Sequence, residues 1–142
     1  MKNILIVSNS DTCRSRMAQE ILNSFGRGMK ISTAGVLVGN SVPDVVCQVM
    51  EQNGYDFSRR KPCDVATYTQ QTWDYVITLC PEAEEVQKEM QGVVRKYVSF
   101  NFADPFRGGI HADDEQEERV VALYNAMHKE LYLSLIHISE PT

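Results

Sequence analysis

The stretch Asn3-Ile4-Leu5-Ile6-Val7 constrains the fold of this chain more than any other. An almost unbroken apolar run of this kind suits a strand covered on both faces. Such strands sit in parallel sheets, whose neighbours must be joined by crossover segments, usually helices. The following sequence supplies them. Met17, Ala18, Ile21, Leu22 and Phe25 at helical spacing predict a helix over 14–25, ended by Gly26 and Gly28. A second strand is expected over 30–33, with Ala34-Gly35 turning the chain out. A helix over 43–53 carries Val45, Val46, Val49 and Met50 and stops at Gly54. A short helix near 65–71 leads to a third apolar strand over 75–79, and a helix follows Pro81. A fourth strand over 97–102 is broken by Asp104-Pro105, and Asp113-Asp114 opens a last helix reaching Tyr132. Strands alternating with helices predict an α/β domain on a four-stranded parallel sheet.

Bulk properties narrow the function classes. The chain has 142 residues, 43% hydrophobic and 23% charged, with a net charge of −5. That fits one domain with a real core and excludes an extended disordered chain. It shows no bulk basicity for nucleic acid, and no apolar run reaches the roughly 18 residues that span a bilayer. Cys13, Cys47, Cys63 and Cys80 lack CxxC spacing, so neither a metal site nor a disulfide framework is expected, nor any cofactor. A reduced cytoplasmic setting fits best. Residues 133–142 look like the translation of a sequencing adaptor read in frame, so the domain is taken as 1–132 with its own C-terminus truncated.

Between the first strand and first helix lie six mostly short polar residues, Ser8 to Cys13. A strand-to-helix turn of this kind converges backbone N–H groups and a helix N-terminus on one point, which favours an anion. Arg14 at its mouth can grip two oxygens together. A plain βα turn capped by Asp11, Thr12 or Ser15 is the structural alternative. Asp104-Pro105 is by itself a common turn starter, Phe106 and Tyr68 are candidate pocket walls, and the acidic run 113–118 suits a solvated helix start.

The run Val7-Ser8-Asn9-Ser10-Asp11-Thr12-Cys13-Arg14-Ser15-Arg16-Met17-Ala18 resembles the signature of low-molecular-weight tyrosine phosphatases and thioredoxin-coupled arsenate reductases, which carry a C-x-G-N-x-C-R-S loop there. Ser32-Thr33-Ala34-Gly35 resembles their second-strand exit, and Gly54-Tyr55-Asp56-Phe57-Ser58 their G-x-D-x-S segment. Trp73-Asp74-Tyr75-Val76-Ile77-Thr78-Leu79-Cys80 is similar to the third strand of the arsenate reductases. Phe102-Ala103-Asp104-Pro105 resembles the Asp-Pro that supplies a general acid. The resemblance implies a three-layer, doubly wound fold. It also implies an oxyanion loop of Ser8, Asn9, Ser10, Asp11, Thr12, Cys13, Arg14 and Ser15, with Arg14 and Asp104 in catalytic roles.

In such enzymes a cysteine opens the loop and attacks phosphorus or arsenic. Here that place holds Ser8, whose hydroxyl ionises far less readily than a thiol. No histidine lies near it in sequence, since His111 and His128 are far along the chain. Ser10 stands for the loop glycine and Asp11 for the loop asparagine. Asp11 tolerates a left-handed backbone, but at roughly 5 Å its charge would repel an anion by about 3 kcal/mol unless it is protonated or turned outward. Of the paired cysteines used by arsenate reductases, Cys80 matches the first and Gln87 replaces the second. Cys13 and Cys80 remain the redox candidates, with a thioredoxin-type reductant as partner if either is active. The expectation is therefore a domain that binds phosphate, arsenate or a phosphotyrosine-like anion with little thiol chemistry. The alternatives are an active reductase or hydrolase using altered chemistry and, less well matched, a phosphocarrier domain.

Overall fold

A computed structural model of the chain describes residues 1–138 apart from 27, 58–60, 108 and 110–112. Ser58, His111 and residues 139–142, all invoked above, lie outside the described residues. The elements are β1 (Lys2–Ser8), α1 (Arg14–Phe25), β2 (Met29–Gly35), α2 (Asp44–Gln52), β3 (Trp73–Thr78), β4 (Val94–Ser99) and α3 (Asp114–Ile138). Two 3-10 segments, Val65–Tyr68 and Pro81–Lys88, complete the order. The second replaces the helix expected after Pro81.

All four strands are parallel, in the order β2-β1-β3-β4. The chain starts near the middle and winds outward in both directions, which leaves a crevice at the carboxyl ends of β1 and β3. Ser8 aligns with Gly35 and Val7 with Thr78, so three strand ends meet at that edge.

Alternation along β1 divides the core. Ile4 and Ile6 pack with Met17, Ile21 and Leu22 of α1, Val46 and Met50 of α2, and Val120, Met127 and Leu131 of α3. Leu5 and Val7 face the other way, against Val65, Ala83 and Val86 of the 3-10 segments. The two faces are thus covered unevenly, by long helices on one side and short turns on the other. Each fully buried large side chain of α1 contributes about 1.5–3 kcal/mol. That packing holds α1 against β1 and aims its first turn at the crevice.

Strand four begins three residues earlier than expected, at Val94 opposite Trp73. As an edge strand it is only half buried, and Arg95 and Lys96 hide its period from a reading based on apolar runs. Phe100 and Phe102, expected within that strand, lie beyond its end with their rings stacked at 5.5 Å. Their amides bond to the carbonyls of Thr78 and Leu79 at 2.7 and 3.0 Å, and this leads Asp104 back over the crevice. α3 runs past Tyr132 to Ile138, although its last described buried side chain is Leu131.

Candidate functional site

Residues 8–13 curl between β1 and α1, and the chain leaving β2 clamps them from outside. Val36, Leu37 and Gly39 donate backbone N–H groups to the carbonyls of Ser8, Asn9 and Ser10 at 3.1, 2.8 and 2.9 Å. With the loop carbonyls turned outward, its amides are left for the inside. Among the described residues, the N–H groups of Thr12, Cys13, Arg14 and Ser15 donate to no protein acceptor, as at the start of any helix. The clamp needs Gly35, because a Cβ there would stand 2.7 Å from the Ser10 carbonyl carbon.

The loop floors a cavity of about 320 Å³ lined by Ser8, Ser10, Thr12, Cys13, Arg14, Gly39, Asn40, Ser41, Pro43, Asp104 and Phe106. Arg14 does not swing away from the loop. Its Nη1 donates to the Phe102 carbonyl at 2.9 Å and its Nη2 lies 4.0 Å from Asp104 Oδ2. Asp104 Oδ1 accepts the Phe106 N–H at 2.8 Å, an Asx turn that fixes the carboxylate over the opening. Ser10 and Thr12 share a hydroxyl–hydroxyl hydrogen bond of 2.7 Å on the wall.

Behind this wall lies a closed ring. The Ser8 hydroxyl donates to Ser15 Oγ at 2.9 Å, Ser15 donates to Asp11 Oδ1 at 2.6 Å, and the Asp11 N–H donates to Ser8 Oγ at 3.2 Å. Asp11 Oδ2 accepts the Cys63 N–H at 2.9 Å. Asp11 takes the left-handed conformation, φ 58°, that its short polar side chain tolerates. Its carboxylate, however, turns neither outward nor toward the cavity. It is fully buried behind the loop with both oxygens occupied.

The structure thus separates the eight predicted loop residues. Ser8, Ser10, Thr12, Cys13 and Arg14 line the cavity, while Asn9, Asp11 and Ser15 support it from outside. Phe106 walls the cavity, but Tyr68 does not: it packs edge-on against Trp73 beneath the opposite face of the sheet. His128 packs edge-on against Phe25, at the far end of α1 from Ser8. Asp113 caps α3 by accepting the Gln116 N–H at 2.8 Å, as a helix start should. Gly35, Gly39, Asn40, Ser41 and Pro43 were not foreseen. The small polar run 39–41 was the available signal, but its meaning depends on how the chain returns after β2.

The redox candidates sit in unfavourable surroundings for a thiolate. Cys13 is 5% exposed, with its Sγ 3.7 Å from Met17 Sδ. Burial pushes its thiol far above the usual range, Asp104 adds to the rise, and Arg14 opposes it only in part. Cys80 is also raised, first by burial, with partial relief from the Ala83 amide and Arg14. The two thiols pack on opposite faces of the sheet, so they are not placed to pair.

Comparison with known proteins identifies the family and the fold. The model of the low molecular weight phosphotyrosine protein phosphatase family matches residues 3–133. The chain belongs to that family. A glutaredoxin arsenate reductase from Synechocystis is 29% identical over 80 residues, which cover 56% of this chain and 61% of that relative. A probable low molecular weight protein-tyrosine-phosphatase, EpsP from Ralstonia nicotianae, is 26% identical over 129 residues, covering 84% of this chain and 89% of the relative. An arsenate reductase solved in its phosphate-binding state shares the fold with a TM-score of 0.73 at 21% identity, over 98% of this chain and 100% of that one. Among the described residues no helix is long and apolar enough to cross a membrane, and no group of three or more His, Cys, Asp or Glu side chains could hold a metal ion.

Proposed function

We propose that this phosphatase-family domain binds a tetrahedral oxyanion, phosphate or arsenate or their monoesters, and turns it over slowly or not at all. The observation that carries this reading is the placement of Ser8. Ser8, a buried residue, lines the cavity at the position where the family resemblance puts the attacking cysteine. The open amides of residues 12–15, the positive end of α1 and the Arg14 guanidinium supply the field that holds an anion. In a thiol enzyme that field also creates the nucleophile, by lowering the thiol pKa. An alcohol lies too many units higher for the same field to ionise it.

In this reading Asp104 would protonate a leaving group, and Arg14 would neutralise charge developing on the transferred group; their positions beside the cavity support it. These parts support the family chemistry, and it is the attacking atom that differs. The incomplete relay, with Gln87 in the second cysteine position and Cys13 and Cys80 on separate faces, adds support for binding without reduction.

Side-by-side assays of wild type and Ser8→Cys with p-nitrophenyl phosphate test this. The wild type should show hydrolysis at background level and Ser8→Cys a measurable rate. Brisk wild-type turnover, abolished by Cys13→Ser, would instead identify an active enzyme using another thiol.

A further inference from the structure

The ring behind the loop also decides which oxyanions the cavity accepts. An ionised carboxylate is an acceptor only, so Asp11 obliges the Ser15 hydroxyl to donate to it. Ser15 then has only lone pairs for Ser8, and the Ser8 proton is committed inward. Ser8 Oγ also receives the Asp11 N–H, leaving one lone pair on the cavity side. Turning the Ser8 proton toward a ligand would leave two oxygens 2.9 Å apart with no hydrogen between them. Asp104 adds a second acceptor, its Oδ2, across the same cavity from Ser8. The cavity therefore pairs an anion-attracting floor of amides and Arg14 with two oxygen acceptors, buried Ser8 Oγ and partly exposed Asp104 Oδ2, which a ligand carrying hydrogen can meet and a fully deprotonated one would face oxygen to oxygen.

Resting on the oxyanion-binding reading above, we propose that the site selects tetrahedral oxyanions that keep a proton near neutral pH, phosphate and arsenate, and discriminates against sulfate. Size and shape do not separate these ions well. The P–OH or As–OH group does, because it donates to Ser8 Oγ or Asp104 Oδ2. Sulfate has no proton to offer and would place an oxygen against each acceptor.

Calorimetric titration of the intact chain at about pH 6 with phosphate, arsenate and sulfate tests the proposal, since only the first two carry protons there. Phosphate and arsenate should bind at least about tenfold more tightly than sulfate, the effect of one unmet charged acceptor. Asp104→Asn, whose amide can donate, should improve sulfate binding and bring the ratio within roughly threefold. Ser8→Ala provides a second variant, removing the other acceptor, and should also narrow the gap; thermal melts verify that both are folded. Equal binding of phosphate and sulfate by wild type would overturn the selectivity while leaving the oxyanion site intact. A preference that survives unchanged in both folded variants would overturn it as well. No phosphate binding at all would remove the oxyanion reading itself.

Discussion

The inner and outer halves of one short loop behave as different materials. Ser8, Asp11 and Ser15 form an inward ring in which both hydroxyl protons are donated within the ring and both Asp11 oxygens accept a hydrogen bond. Ser10, Thr12 and Arg14 face a cavity with open amides beside them. The contrast teaches that the loop's shape is maintained by the side turned away from the cavity and its chemistry is delivered by the other, with Ser8 shared between the two. Two aspartates repeat the lesson. Asp11 is fully buried and saturated, whereas Asp104 is 40% exposed and keeps one oxygen facing Arg14.

Breaking the inner half should cost stability first. Asp11→Ala leaves the Ser15 hydroxyl and the Cys63 N–H without acceptors and puts a methyl side chain at positive φ. A loss of about 3–4 kcal/mol is expected in urea unfolding. A loss below about 1 kcal/mol would mean that the ring holds nothing. Gly35→Ala presses a methyl group on the Ser10 backbone and should cost about 2 kcal/mol by the same assay, together with phosphate affinity.

Breaking the outer half should reverse the pattern. Arg14→Ala is expected to weaken phosphate binding by roughly tenfold to a hundredfold, while stability changes by about 1 kcal/mol or less. Equal damage to both properties would erase the distinction between the halves. The halves also interact through Ser8. A thiolate at position 8 would receive no proton from Ser15 while Asp11 holds that proton. Ser8→Cys combined with Asp11→Asn should therefore hydrolyse p-nitrophenyl phosphate about tenfold faster than Ser8→Cys alone, and show a lower thiol pKa in alkylation rate against pH. Equal rates and equal thiol pKa values would count against the ring's control of position 8.

The smallest expected effect concerns the native thiols. The raised pKa of Cys13 keeps it protonated in the folded chain, where the unfolded thiol would ionise near pH 8.5. The stability this gives is present below that pH and declines as pH rises above it. Iodoacetamide at about pH 8 should modify half-exposed Cys63 before Cys13, Cys47 or Cys80, as read by peptide mass. Early modification of Cys13 would revive it as a reactive group.

Much of the fold was legible because the central parts of β1 and β3 are covered on both faces, so residues 4–7 and 75–77 are apolar runs. β4 was misplaced because an edge strand is free to carry Arg95 and Lys96. The cavity-forming loop was legible from its short polar residues between strand and helix, with Arg14 and Asp104 marked by family resemblance. The destination of Asp11 was not. Its burial depends on the Cys63 amide, 52 residues away, which local sequence does not encode. The same holds for Gly35 and Gly39, whose role comes from the chain that follows β2 folding back on the loop.

Amide NMR of the 15N-labelled chain during a phosphate titration tests the central claim most directly. Saturable shifts should concentrate on the N–H groups of Thr12, Cys13, Arg14 and Ser15, and Arg14→Ala should weaken them. Phosphate that leaves these amides unmoved, or moves a different surface, would contradict an anion site at the start of α1.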